Sequence, residues 1–105
     1  MNKIKCKLAE LRKRAKKKNV DFDLTAKWYR ELMSNTQCEQ TGLRFKIYKD
    51  GRRHPFGPSI HRVDCTKGYI KSNCQLVIWA YNTAKAEFTD EDVYKMAKAY
   101  LTNEK

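Results

Sequence analysis

The sequence predicts an α+β fold: one small single domain in which a ββα core is flanked by an N-terminal and a C-terminal helix. Three observations carry this. The chain has 105 residues, enough for one modest core and too few for a second of equal size. Two short apolar runs, Ile60 to Asp64 and Leu76–Val77, bracket a loop containing Gly68 and lead into a helical stretch from about Ile78 to Glu87. Apolar residues also recur at helical spacing at both ends of the chain.

At the N-terminus Ile4, Leu8, Leu11 and Ala15 form one narrow stripe. The other faces of that helix carry Lys3, Lys5, Lys7, Arg12, Lys13, Arg14, Lys16, Lys17 and Lys18, opposed only by Glu10. So many like charges weaken an isolated helix, so a polyanion-facing role is expected over a merely solvated face. Asn19 suits the helix stop. Residues 1–19 thus read as a basic helix, an arm or part of the body, ahead of a domain spanning 20–105. Val20, Phe22 and Leu24 alternate with acids and suit an extended piece. Thr25 caps a helix from Ala26 to about Met33, with Trp28 and Leu32 facing inward.

Cys38 to Gly42 reads as a tight turn, Gly42 supplying the unusual backbone angles. Phe45, Ile47 and Tyr48 suggest a further strand, and Asp50-Gly51 a hairpin turn. Arg52-Arg53-His54 makes a basic loop, held extended by Pro55 and Pro58. After the ββα stretch, Thr89 caps a last helix whose first turn holds Asp90, Glu91 and Asp92. Its inner face is expected to be Val93, Met96, Ala97 and Tyr100. Trp79, Tyr81 and Phe88 are expected in the core.

Lys and Arg number 23 against 12 Asp and Glu, a formal charge of +11. That imbalance favours a polyanionic partner, DNA or RNA. No apolar run approaches the ~20 residues that span a bilayer, and the basic N-terminus lacks the apolar stretch of a secretory signal. A cytoplasmic location with no membrane partner is expected. The cysteines (Cys6, Cys38, Cys65, Cys74) then read as reduced thiols, small hydrophobes without a C-x-x-C zinc knuckle.

Phosphodiester hydrolysis needs charge neutralisation at the phosphate, a base for water, and rigid placement of both. A ββα unit carrying His61, Arg62, Asp64, Asn73, Asn82 and Lys85 can supply such groups. The motifs fall in a specific order: Phe22-Asp-Leu-Thr-Ala-Lys-Trp28, Cys38-Glu-Gln-Thr-Gly42, Pro58-Ser-Ile-His-Arg-Val-Asp64, Gly68-Tyr69 with Asn73, and Val77-Ile-Trp-Ala-Tyr-Asn-Thr-Ala-Lys85. Over about Phe22 to Phe88 the chain resembles the small phage-type HNH endonucleases of the His-Me finger group, whose core is a ββα-metal unit. Each motif alone is weak; five in one order are specific.

The resemblance implies a metal-dependent endonuclease acting on double-stranded DNA in a phage-infected bacterial host. Its strand pair falls on His61 and Arg62, its orienting Asn on Asn73 and its helix ligand on Asn82. The implied ion is divalent, Mg2+ first, with Mn2+, Ni2+ or Zn2+ as alternatives. It is expected between His61 and Asn82, with Asp64 as a further ligand. Arg62, Lys85, Arg52, Arg53 and His54 are expected on DNA, with Lys13, Lys16 and Lys17 adding sequence-independent affinity. A homodimer is compatible with cutting both strands.

Two departures matter. This branch carries Asp where His61 stands, and Arg62 occupies the place of the general family's base His and cannot act as a base. The base is therefore open: His61 itself, His54 swinging in from the basic loop, or none. In the last case the chain binds nucleic acid without cutting it, as a phage regulatory or inhibitory factor. An RNA- or ribosome-associated role is a third reading. Structural roles compete at each position: a hydrogen-bonded core His61, a loop-bonding Asn82, a turn-capping Asn73, and an Asp64 paired with Arg62 or Lys67.

Overall fold

The computed structural model describes residues 3–103. In chain order it holds α1 (Lys3–Lys18), α2 (Ala26–Met33), β1 (Pro58–Arg62), a short 3-10 turn (Lys71–Asn73), β2 (Cys74–Ile78), α3 (Trp79–Lys85) and α4 (Asp90–Thr102). The α+β assignment and the ββα order hold. β1 and β2 are antiparallel, with Pro58 opposite Ile78, Ile60 opposite Leu76, His61 opposite Gln75 and Arg62 opposite Cys74.

The α1 stripe packs as its period requires. Leu11 and Ala15 are buried with Leu24 and Tyr69, and Leu8, Val20, Phe22, Trp28 and Ile60 close around them. α1 is thus packed on the body through its apolar face. Asn19 ends it in a left-handed conformation (φ 55°). Its N–H reaches Lys16 O at 3.1 Å and that of Val20 reaches Ala15 O at 2.9 Å, the paired bonds of a Schellman stop. The extended piece after it pairs Phe22 with Tyr69 in a parallel bridge. This close approach requires Gly68: a Cβ there would lie 2.2 Å from Asp21 O. Thr25 caps α2 by accepting from Trp28 N–H. Gly42 turns the chain at φ 76°, and its N–H bonds Cys38 O at 2.9 Å.

A second cluster (Cys38, Val77 and Ile78, with Phe45, Ala80 and Tyr81) lies around β2 and the start of α3. Cys38 also anchors its turn, its Sγ accepting from Ile78 N–H at 3.3 Å.

Several expectations give way. Phe45 to Tyr48 is not a strand; only Gln37 and Arg44 bridge there, and Ile47 is exposed. With no sheet edge beside it, the segment turns as a loop, Lys46 N–H bonding Phe56 O. The strand expected through Asp64 ends at Arg62, and α3 is shorter than expected because Ile78 stays in β2 and Ala86 breaks the helix at φ 40°. The capping box of Thr89 and Asp92 forms as expected, but no residue of α4 is buried. Met96 and Tyr100, expected inward, are exposed, as is Phe88. Only Cys38 among the thiols is buried; Cys6 and Cys65 are exposed. No described helix is long and apolar enough to cross a membrane.

Candidate functional site

His61 sits on β1 with 4% of its surface exposed. Its Nδ1 lies 3.0 Å from Asn82 Oδ1 on α3. The Asn82 amide has a fixed orientation, because its Nδ2 donates to Ser59 Oγ at 2.8 Å and to the carbonyl of Ile60 at 3.1 Å. A carbonyl only accepts, so Oδ1 must face the imidazole and accept from Nδ1–H. The neutral ring then keeps its lone pair on Nε2. Tyr81 meets the ring edge-on at 5.4 Å, and its hydroxyl donates to Asp90 at 2.5 Å.

Burial lowers the His61 pKa below its ordinary value. Lys85 and Arg62 push the same way, while the Asn82 bond and Asp90 oppose them. The imidazole is therefore neutral near pH 7.

Beside it opens a cavity of about 450 Å³ whose walls include His61, Asn82, Arg14, Lys18, Arg62 and Glu87. A smaller one of about 210 Å³ is walled by Lys7, Arg14, Arg53, Ser59, Trp79 and Asn82. Arg14, Ile60 and Asn82 border both. Together they make a cationic trough with a single imidazole in its wall.

The other expected residues sort as follows. Asn73 is buried but bonds away from His61. Its Oδ1 accepts from Asp64 N–H, and its Nδ2 donates to Asp64 O and Gly68 O, each at 3.0 Å. It staples the loop rather than orienting the imidazole. Asp64 caps its own turn, accepting from Thr66 N–H at 2.9 Å and Thr66 Oγ1 at 2.6 Å, bonds that lower its pKa. It is not on the cavity wall. Arg62 borders the cavity but donates to Cys65 O and Lys67 O, its guanidinium 4.7 Å over the Tyr69 ring. Lys85 is 8% exposed, lies off the cavity wall, and joins none of the ion pairs among the described residues.

In the basic loop Arg52 binds Asp50 and stacks on Tyr48. Arg53 stacks on Trp79 at 4.1 Å, at the edge of the trough. His54 accepts from Phe56 N–H through Nδ1 at 2.9 Å and packs between Tyr48 and Phe56. That engagement holds it in its own loop, off both cavity walls.

Lys13, Lys16 and Lys17 are exposed and off both cavity walls. The α1 cations that do border the trough are Lys7, Arg14 and Lys18. The helical period could have found them. At 100° per residue, positions 7, 14 and 18 flank the buried 8-11-15 stripe, whereas 13 and 17 point opposite it. Glu87 carried no signal, because only the early end of α3 brings it to the cavity.

Among the described residues no three His, Cys, Asp or Glu side chains gather. Of the expected trio, His61 Nδ1 and Asn82 Oδ1 stand 3.0 Å apart, whereas Asp64 is turned to Thr66. The cavity wall sets His61 and Glu87 beside three cations, Arg14, Lys18 and Arg62.

This architecture is the HNH endonuclease fold. The chain superposes on the rare-cutting HNH restriction endonuclease PacI with a TM-score of 0.65, 18% identity, and coverage of 95% of this chain and 78% of that one. It is also 29% identical over 93 residues to an uncharacterized 29.0 kDa protein from the dda-modA intergenic region of Enterobacteria phage T4. That match takes in 89% of this chain, and the chain spans 36% of the relative's length. No family model matches the sequence.

Proposed function

We propose that this chain is a DNA endonuclease whose reacting residue is His61, acting as general base through Nε2. The observation that supports it is the His61–Asn82 pair. An imidazole kept neutral by burial and fixed in one tautomer by a committed amide is prepared to take a proton at its other nitrogen. Base pairing with a backbone-anchored amide also removes the need for a second histidine at position 62.

In this reading duplex DNA lies along the trough, its phosphates on Lys7, Arg14, Lys18 and Arg53. Water gives a proton to Nε2 and the resulting hydroxide attacks phosphorus. The P–O bond to the leaving sugar oxygen breaks, and that oxygen is protonated from solvent. Arg14, Lys18 and Arg62 offset the charge that builds on the phosphate. Residues 1–19 supply cations and 20–105 the centre. No step here is routed through a metal.

The test is nicking of supercoiled plasmid, in Mg2+, Mn2+, Ni2+ and chelator, by wild type and His61→Ala. Loss of nicking in the variant, at unchanged DNA affinity, supports the assignment. Equal cleavage by both proteins overturns it. A second reading, DNA binding without cleavage, is favoured by the engagement of Arg62 with loop carbonyls where the family carries its base. Tight, salt-sensitive binding with no nicking under any of these conditions would select it.

A further inference from the structure

We propose that α4 is a self-association surface that pairs two copies of this chain through antiparallel α4 helices. The helix lies on α3 yet buries none of its own residues. Leu101 is 82% exposed, Tyr94 69%, and Phe88, just before the helix, 60%; Met96 is exposed with them. On a 100° wheel Val93, Tyr94, Met96, Ala97 and Leu101 share one broad side, with Glu91, Lys95, Lys98 and Thr102 on the other. A soluble surface rarely gathers so many large apolar groups on one helix unless something covers them.

The charge distribution identifies the occupant. Residues 1–85 hold twenty of the Lys and Arg and seven of the Asp and Glu, a net +13. Residues 86–105 hold three and five, a net −2. This end of the chain is unsuited to DNA. It is also the region through which two strongly cationic bodies can approach without setting basic faces together. The helix is self-complementary. Its first turn carries Asp90, Glu91 and Asp92, and Lys95 and Lys98 follow around its middle. An antiparallel copy crossing near Tyr94–Lys95 brings each acidic turn toward the other's Lys98 and opposes the two helix dipoles. An isologous apolar seam with charged flanks is the usual anatomy of a twofold interface. Because α4 rests on α3, which carries Asn82, the pair would also hold two troughs at a fixed separation.

Sedimentation equilibrium of the full chain, freed of nucleic acid, tests this. The expected mass rises with concentration from the monomer's 12.4 kDa toward twice that value. Salt should raise the dimer fraction by screening the bodies, the opposite of its effect on a DNA complex. Met96→Glu and Leu101→Glu, both at exposed positions, should leave the far-ultraviolet circular dichroism unchanged and abolish the dimer. A wild-type chain monomeric at every concentration overturns the proposal and leaves the face to a different protein. A dimer that survives both substitutions overturns it too, since the interface then lies elsewhere. The readout is mass rather than cleavage, so its failure is separate from failure of the nuclease reading.

Discussion

His61 and Asn82 act as one unit, and each has a measurable consequence for the other. Deleting the amide removes the bond that raises the His61 pKa, so Asn82→Ala should lower that pKa further, read by NMR titration of the ring. It also leaves buried partners on β1 unsatisfied, at a cost of about 1–3 kcal/mol. The wild-type imidazole already titrates below its ordinary value. The unfolded chain therefore takes up its proton first, near the ordinary value of 6.5. The stability contribution is full above that pH and is lost as pH falls through the lower folded value. Urea midpoints should drop over this window in wild type and much less in His61→Gln. Nicking should fall over the same window as the base becomes protonated.

At the scale of elements, the sequence located the helices and the two strands of the ββα core but not which of their faces would matter. α1 is the clearest case. Its stripe and its charge were both evident, yet the cations that border the trough are those beside the stripe. Arg14→Ala and Lys18→Ala together should weaken DNA binding and flatten its salt dependence more than Lys13→Ala with Lys17→Ala. Equal effects of the two pairs, measured by fluorescence anisotropy against salt, would place the DNA elsewhere. The loop between the strands gives a second case. Gly68→Ala would drive a methyl into the Asp21 backbone. It should cost at least the upper end of the ~1–3 kcal/mol typical of overpacking, because the Phe22–Tyr69 bridge cannot open without exposing the α1 core. A melting temperature unchanged by that substitution would contradict the packing described.

Across the whole molecule the charge is divided by role. Cations of the body frame the trough, and no described residue of α4 borders it. On the proposed pairing of α4 helices, this division lets a chain of +11 meet a second copy away from its basic faces. The ordered motifs from Phe22 to Lys85 foretold the HNH-type ββα arrangement, because strand, loop and helix length are local properties set by period and turn chemistry. The same reading put a strand at Phe45–Tyr48 and an inner face on α4. Both errors have one cause: local pattern marks a segment as apolar or extended, but only the presence of a partner element decides whether it pairs or is covered.

By itself the sequence determined the order of elements, the basic character of the first helix, the caps at Thr25 and Thr89, and the candidacy of His61, Asn73 and Asn82. Tertiary structure alone decided what those side chains do. It turned Asn73 inward to staple a loop, turned Asp64 back onto Thr66, and brought Asn82 onto the imidazole across a sequence separation of twenty-one. Hydrogen-bond direction and proton position depend on which groups converge in space, and convergence between distant residues leaves no trace in local spacing.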